Sequence, residues 1–244
     1  MSKQFWFIVV VIVLVLVGIF AFTGNKSSSG GNSNNTTTPT NHVIGLGKTG
    51  VLLVEYGDYQ CPYCGEYATT LNQVVAKYYD QITFQFRNFP LTSIHQNAYA
   101  GARAAEAAGI MGKFWQMHDL LYQQNQAYYT SNGKVAGWIG ASDPEPVLAQ
   151  DAVSLGLNKQ KFEQLYASDQ VNNLITADEN VSTSLKLDAT PTFFLDGKAL
   201  TVNNTVDAFS KEIDAAIAQK SGQKATSTPT SASASATNQP QSKQ

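Results

Sequence analysis

Residues 51–90, VLLVEYGDYQCPYCGEYATTLNQVVAKYYDQITFQFRNFP, constrain the fold more than any other part of this chain. GVLLVEYG (50–57) is a short apolar run closed by glycine and reads as a buried strand. GEYATTLNQVVAKYYD (65–80) places Tyr67, Leu71, Val74, Val75 and Tyr78 at helical spacing. In QITFQFRNFP (81–90), Ile82, Phe84 and Phe86 alternate with polar neighbours, which predicts a half-buried strand stopped by Pro90. Strand, helix, strand at these lengths is a βαβ unit, and its crossover makes the two strands parallel. Between the first strand and the helix stand Cys61 and Cys64, the only 2 cysteines of the 244 residues.

Downstream the periodicity changes. HQNAYAGARAAEAAGIMGKFWQMHDLLYQQNQ (95–126) is a long Ala-rich helical region, followed by helical segments at 144–156, 158–169 and 170–186. Asp143 and Asn158 are candidate N-caps and Gly156 a candidate stop. Strand character returns in TPTFFLDGKAL (190–200), where Asp196-Gly197 signals a hairpin turn. Val206, Phe209, Ile213, Ala216 and Ile217 then mark one face of a closing helix over 204–220. The order β-α-β, helical block, β-β-α predicts an α/β sheet layer with helices on its faces.

A disulfide across two intervening residues closes too small a loop to add much stability. A zinc site needs about four ligands, and His42, His95 and His118 are not at ligand spacing from the cysteines. A redox couple fits better. At the N-terminus of a helix, unpaired N–H groups and the helix dipole favour a thiolate at Cys61, pulling it below the free value of about 8.5. Pro62 suits a first helical turn, where its missing N–H is harmless. Cys64 is then within reach of Cys61 to form or resolve a disulfide. ATPTF places Pro191 just before a strand; alone that reads as an ordinary trans proline, but the redox pair upstream shifts the reading toward a cis Thr190-Pro191 bond.

The flanks differ from the middle. FWFIVVVIVLVLVGIFAF (5–22) is 18 residues without a charge, about 27 Å as a helix and close to the thickness of a bilayer core. It is longer than the usual signal-peptide core and lacks a small-residue cleavage site, so residues 1–22 are expected to be an uncleaved transmembrane anchor. Lys3 and Lys26 on either side orient it only weakly. Residues 23–41 form a Ser/Gly/Asn/Thr tether, and 221–244 a similar tail expected to be disordered. The block 42–220 has globular composition. A net charge of −2 with 14% charged residues supplies no basic field, which argues against nucleic acid as the partner.

VEYGDYQCPYC, FRNFPL, GKFWQMHDLLY and TPTFFLDG together resemble the DsbA-like thiol:disulfide oxidoreductases of the thioredoxin superfamily, over about residues 43–218. The resemblance implies a thioredoxin fold with a helical domain inserted over about 95–187, in a protein acting outside the cytoplasmic membrane of a bacterium. It implies Cys61 as the exposed nucleophile and Cys64 as the buried resolving cysteine, with no cofactor beyond their disulfide. It also implies Pro191 as a cis-proline facing the pair. Thr190 presents backbone groups to a substrate strand, and Pro62 and Tyr63 join it as candidate substrate contacts. Glu55 falls where such proteins keep a buried acid. The residues agree, since it is the one charge in its strand, where a raised pKa would let it carry protons for Cys64; the alternative is a strand-end side chain in water. His118 reads as a packed histidine, His95 as a cap or loop residue, and Phe114 and Trp115 as core.

Pro62-Tyr63 departs from the Pro-His of the family's strong oxidants, and a tyrosine stabilises a thiolate less than a histidine does. Oxidation of secreted or surface proteins with free thiols is the first expectation, with a membrane partner to reoxidise the pair. Reduction or isomerisation is the second. A tethered peptide-binding or chaperone module without redox chemistry, and a thiol metal carrier, are the rivals from other classes.

Overall fold

The computed structural model describes residues 38–226, with side chains through 222. The expected anchor, most of the tether and the end of the tail lie outside the described residues. Among the described residues no helix is long and apolar enough to cross a membrane.

Five strands form one sheet: β1 (His42–Ile44), β2 (Val51–Gly57), β3 (Ile82–Asn88), β4 (Thr192–Leu195) and β5 (Lys198–Leu200), in the order β1-β3-β2-β4-β5. β2 and β3 are parallel, with Glu55 opposite Phe86; the other neighbours are antiparallel, with Glu55 opposite Phe193 of β4. The expected βαβ unit is present, its helix α1 running over Pro62–Tyr78. β2 lies at the centre, which is why its sequence is almost uninterruptedly apolar. Asp196 and Gly197 both have positive φ, 49° and 77°, as the tight β4–β5 turn demands.

β1 was not predicted. Three residues at a sheet edge are too few to set up an alternating pattern. β3 is also more deeply buried than its alternation suggests. Gln85 and Asn88 lie inside with Ile82, Phe84 and Phe86, and Gln85 donates to the Thr40 carbonyl at 3.3 Å and to Asn41 Oδ1 at 3.1 Å. A polar residue enters the interior here because the chain leading into β1 supplies acceptors.

The helical block lies between β3 and β4: α2 (Ala98–Ile110), α3 (Phe114–Thr130), a single 3₁₀ turn (Trp138–Gly140), α4 (Glu145–Ser154), α5 (Lys159–Tyr166) and α6 (Asp169–Ser184). The helical region expected over 95–126 is two helices, divided at Gly112, whose φ is +81°. Asn158 caps α5 by accepting from the Lys161 N–H at 2.9 Å. Asp143 does not cap α4. Pro144 occupies that position, and Pro146 in the first turn removes an N–H that a cap would have served. The closing helix α7 (Val206–Thr226) runs six residues past the 220 boundary, into the segment expected to be a disordered tail.

Two apolar cores result. One joins β2, β3 and β4 to α1 and α7 through residues such as Leu53, Val74, Phe84, Phe209 and Ile213. Burying Phe209 and Ile213 contributes roughly 1.5–3 kcal/mol each. The other is the core of the inserted helices, and it contains Cys61 and Cys64. Alanines 102, 104, 105, 107 and 108 of α2 are buried in it, small enough for neighbouring helices to approach closely. A buried polar cluster ties the insertion to the sheet. Asp178 of α6 accepts from the Thr40 N–H (2.9 Å), the Thr40 hydroxyl (2.6 Å), the Asn88 N–H (2.9 Å) and Arg87 (3.1 Å). Glu106 of α2 accepts from Asn88 at 2.6 Å and pairs with His42 at 2.8 Å.

Candidate active site

Cys61 occupies the N-cap position of α1, in extended conformation, with Pro62 as the first helical residue. Its side chain does not cap the helix, and at 4% exposure the residue is buried, not exposed as the resemblance implies, because the connection before β4 covers it. The thiol instead donates to the Thr190 carbonyl at 3.4 Å, across the cis Thr190-Pro191 bond that precedes β4. Cys64, one turn into the helix, is wholly buried, and its sulfur accepts from the Asp58 N–H at 3.5 Å. Neither cysteine is in a disulfide.

The two thiols are electrostatically unequal. A hydrogen bond from Cys64 holds Cys61 down at about 6. Burial works against this, while the Thr190 side chain and the Cys64 N–H assist it. Burial pushes Cys64 well up, and the neighbouring Cys61 and Glu55 add to the rise. Glu55 is 1% exposed and therefore does not reach water. Burial first, and the Cys61 charge second, raise it to about 8, and its Oε1 has no partner. At neutral pH this site holds a stabilised thiolate over a protonated thiol and a protonated carboxyl.

Tyr63 is 63% exposed beside the pair. A cavity of about 390 Å³ opens there, lined by Tyr63, Tyr67, Thr190, Pro191, Phe193 and Leu200 among others. The fold thus gathers Cys61, Cys64, Glu55, Thr190 and Pro191 at one place, with Pro62 and Tyr63 at its rim.

Other residues complete the site without any sequence signal. Asn125 of α3 donates to the Tyr59 carbonyl at 2.9 Å and to the Cys61 carbonyl at 3.0 Å, and Tyr129 donates to the Gln60 carbonyl at 2.9 Å. His118, read as packed, lies buried at 3.0 Å from the Tyr59 hydroxyl, and burial drops it to about 3. Asp58 was overlooked, although it stands three residues before Cys61. His95, expected to be a cap or loop residue, pairs with it at 2.6 Å. Among the described residues, no three His, Cys, Asp or Glu side chains are placed to hold a metal ion.

The family model described as thioredoxin matches residues 37–215, and the chain belongs to that family. A Na(+)/H(+) antiporter NhaA 1 from Mycolicibacterium vanbaalenii is 32% identical over 160 residues, which is 64% of this chain and 23% of that protein. The chain thus spans about a quarter of the length of such relatives. A protein-disulfide oxidoreductase of Rickettsia typhi is 27% identical over 179 residues, 72% of this chain and 61% of that one. Among solved structures, alpha-DsbA1 from Wolbachia pipientis shares the fold with a TM-score of 0.60 at 19% identity, covering 76% of this chain and 95% of that chain.

Proposed function

We propose that this protein is a thiol:disulfide oxidoreductase that introduces disulfides into proteins outside the cytoplasmic membrane. The observation that carries the reading is the inequality of the thiols: Cys61 held near 6 at a helix N-terminus, Cys64 buried and pushed up. A low-pKa thiolate leaves readily and stabilises the reduced enzyme, which makes the oxidised enzyme a disulfide donor.

The steps balance as follows. A client thiolate attacks Cys61 of the Cys61–Cys64 disulfide, forming a client–Cys61 bond and expelling Cys64 as a thiolate. Cys64 takes a proton, for which Glu55, protonated below about 8, is the buried donor. A second client thiolate attacks the client sulfur of the mixed disulfide and expels the Cys61 thiolate. Two electrons pass from client to enzyme, and a membrane partner removes them. Thr190 lies where its backbone can pair with an extended client, and the groove at Tyr63 and Pro191 can take the client's side chains. The apolar run 5–22 would tether the domain.

The reduction potential of the full chain in a glutathione buffer tests the direction. About −120 mV supports a donor; about −270 mV supports a reductase instead. Cys61→Ser should abolish disulfide exchange, and full activity in that variant excludes redox chemistry. Membrane fractionation before and after deletion of residues 5–22 tests the tether; unchanged membrane recovery excludes it.

A further inference from the structure

Asp58, itself buried, holds the redox loop from within. The Asp58 carbonyl accepts from the Cys61 N–H at 3.1 Å, and its N–H donates to the Cys64 sulfur at 3.5 Å. The Asp58 carboxylate is fully buried. It accepts from the Gln60 N–H at 2.7 Å and the Leu91 N–H at 2.9 Å, and it meets His95 Nδ1 at 2.6 Å. His95 comes from the β3–α2 connection, so this ion pair joins the loop bearing the thiols to the start of the insertion.

A buried carboxylate beside a forming thiolate opposes it, and Asp58 does push Cys61 upward. Other titratable groups near the pair do not offset that charge. Glu55 beneath it is protonated below about 8, and burial raises the phenols of Tyr59, Tyr122 and Tyr129. Pro62 and Tyr63 carry no cation. We propose that His95 is a positioning residue of the redox pair: held by Asp58, its ring offsets the buried carboxylate and so keeps the Cys61 thiolate stable from outside the Cys-x-x-Cys segment. The hydrogen bond that His95 donates to Asp58 leads in raising His95, against burial, with the Asp58 and Cys61 charges adding, so the imidazolium persists above its usual range. The proposal rests on the redox reading of Cys61 and Cys64.

The test is the pH dependence of iodoacetamide alkylation at Cys61 in the reduced full chain, located by mass spectrometry, with urea unfolding to verify folding. His95→Gln is expected to raise the midpoint by about one pH unit, slowing alkylation about tenfold on the acid side. Adding Asp58→Asn to His95→Gln removes the uncompensated charge and should bring the midpoint back toward wild type. A purely structural loss would grow with the second change. An unshifted midpoint in His95→Gln, or a higher one still in the double variant, overturns the proposal. Should His95→Gln not fold, the reciprocal coupling decides: the His95 ring, followed by NMR in the reduced chain, must titrate lower in Cys61→Ser than in wild type, and an unchanged titration overturns the proposal. A wild-type midpoint near 8.5 would instead defeat the redox reading itself.

Discussion

The Cys61 sulfur lies 3.4 Å from the Thr190 carbonyl oxygen although 129 positions separate the two residues. The contact places the reactive sulfur against the connection that enters β4. On the proposed reading, a client bonded to Cys61 would meet backbone able to pair with it and the groove beyond Pro191.

The difference between the thiols should appear directly in their chemistry. Cys61 in the reduced protein is expected to alkylate with a midpoint near pH 6, and Cys64 to stay unmodified until well above pH 9. Cys64→Ala removes the leading hydrogen bond to the thiolate and should raise the Cys61 midpoint. Equal reactivity of the two cysteines in site-resolved mass spectrometry would contradict the geometry.

Without Cys64, a Cys61 thiolate that has attacked an oxidised client has nothing in the protein to release it. Cys64→Ala should accumulate mixed disulfides visible on non-reducing gels, and Cys61→Ala/Cys64→Ala none. Adducts in the double variant would show that they do not form at the pair.

Glu55 links the proposed proton delivery to stability. An unfolded glutamate ionises near 4.5 and the folded one near 8, so between these values the unfolded chain releases a proton that the folded chain keeps. Stability contributed by Glu55 is complete below pH 4.5 and is lost as pH rises through 8. Glu55→Gln should therefore match wild type at acid pH and exceed it by up to roughly 5 kcal/mol above pH 8. Proton delivery to Cys64 should slow in the same variant. Urea melts at several pH values measure the first effect and stopped-flow exchange the second; a pH-independent difference would mean that Glu55 does not titrate as placed.

Gly65 and Asn125 form an interlocking pair. A Cβ on Gly65 would lie 2.0 Å from Asn125 Oδ1, and Asn125 secures the carbonyls of Tyr59 and Cys61. Asn125→Ala should cost about 1–3 kcal/mol. Gly65→Ala should be costly in the native background and much less so beside Asn125→Ala. Strict additivity in denaturant melts would refute the interlock.

Much of this architecture is legible in local pattern. The βαβ unit shows in the switch from alternation to helical spacing and back, and the hairpin in Asp196-Gly197. Cys61 and Cys64 could be placed on a helix N-terminus because a buried strand ends just before them. β1 and the Met111–Lys113 break escape local pattern, one for its brevity and the other because helical spacing resumes directly after it. Asn125, Tyr129 and His95 reach the site from the insertion, and no spacing along the chain relates them to Cys61.

The sequence by itself determined the βαβ core and the placement of the two thiols, because strand and helix periods and a Cys-Pro-Tyr-Cys turn act over a few neighbouring residues. The inequality of the thiols was decided by tertiary structure. The inserted helices bury Cys64, β3 and β4 enclose Glu55, and the connection before β4 brings Thr190 to Cys61. His95 closes on Asp58 in the same way. Desolvation and charge pairing depend on what surrounds a group in space, and only the folded chain sets those surroundings.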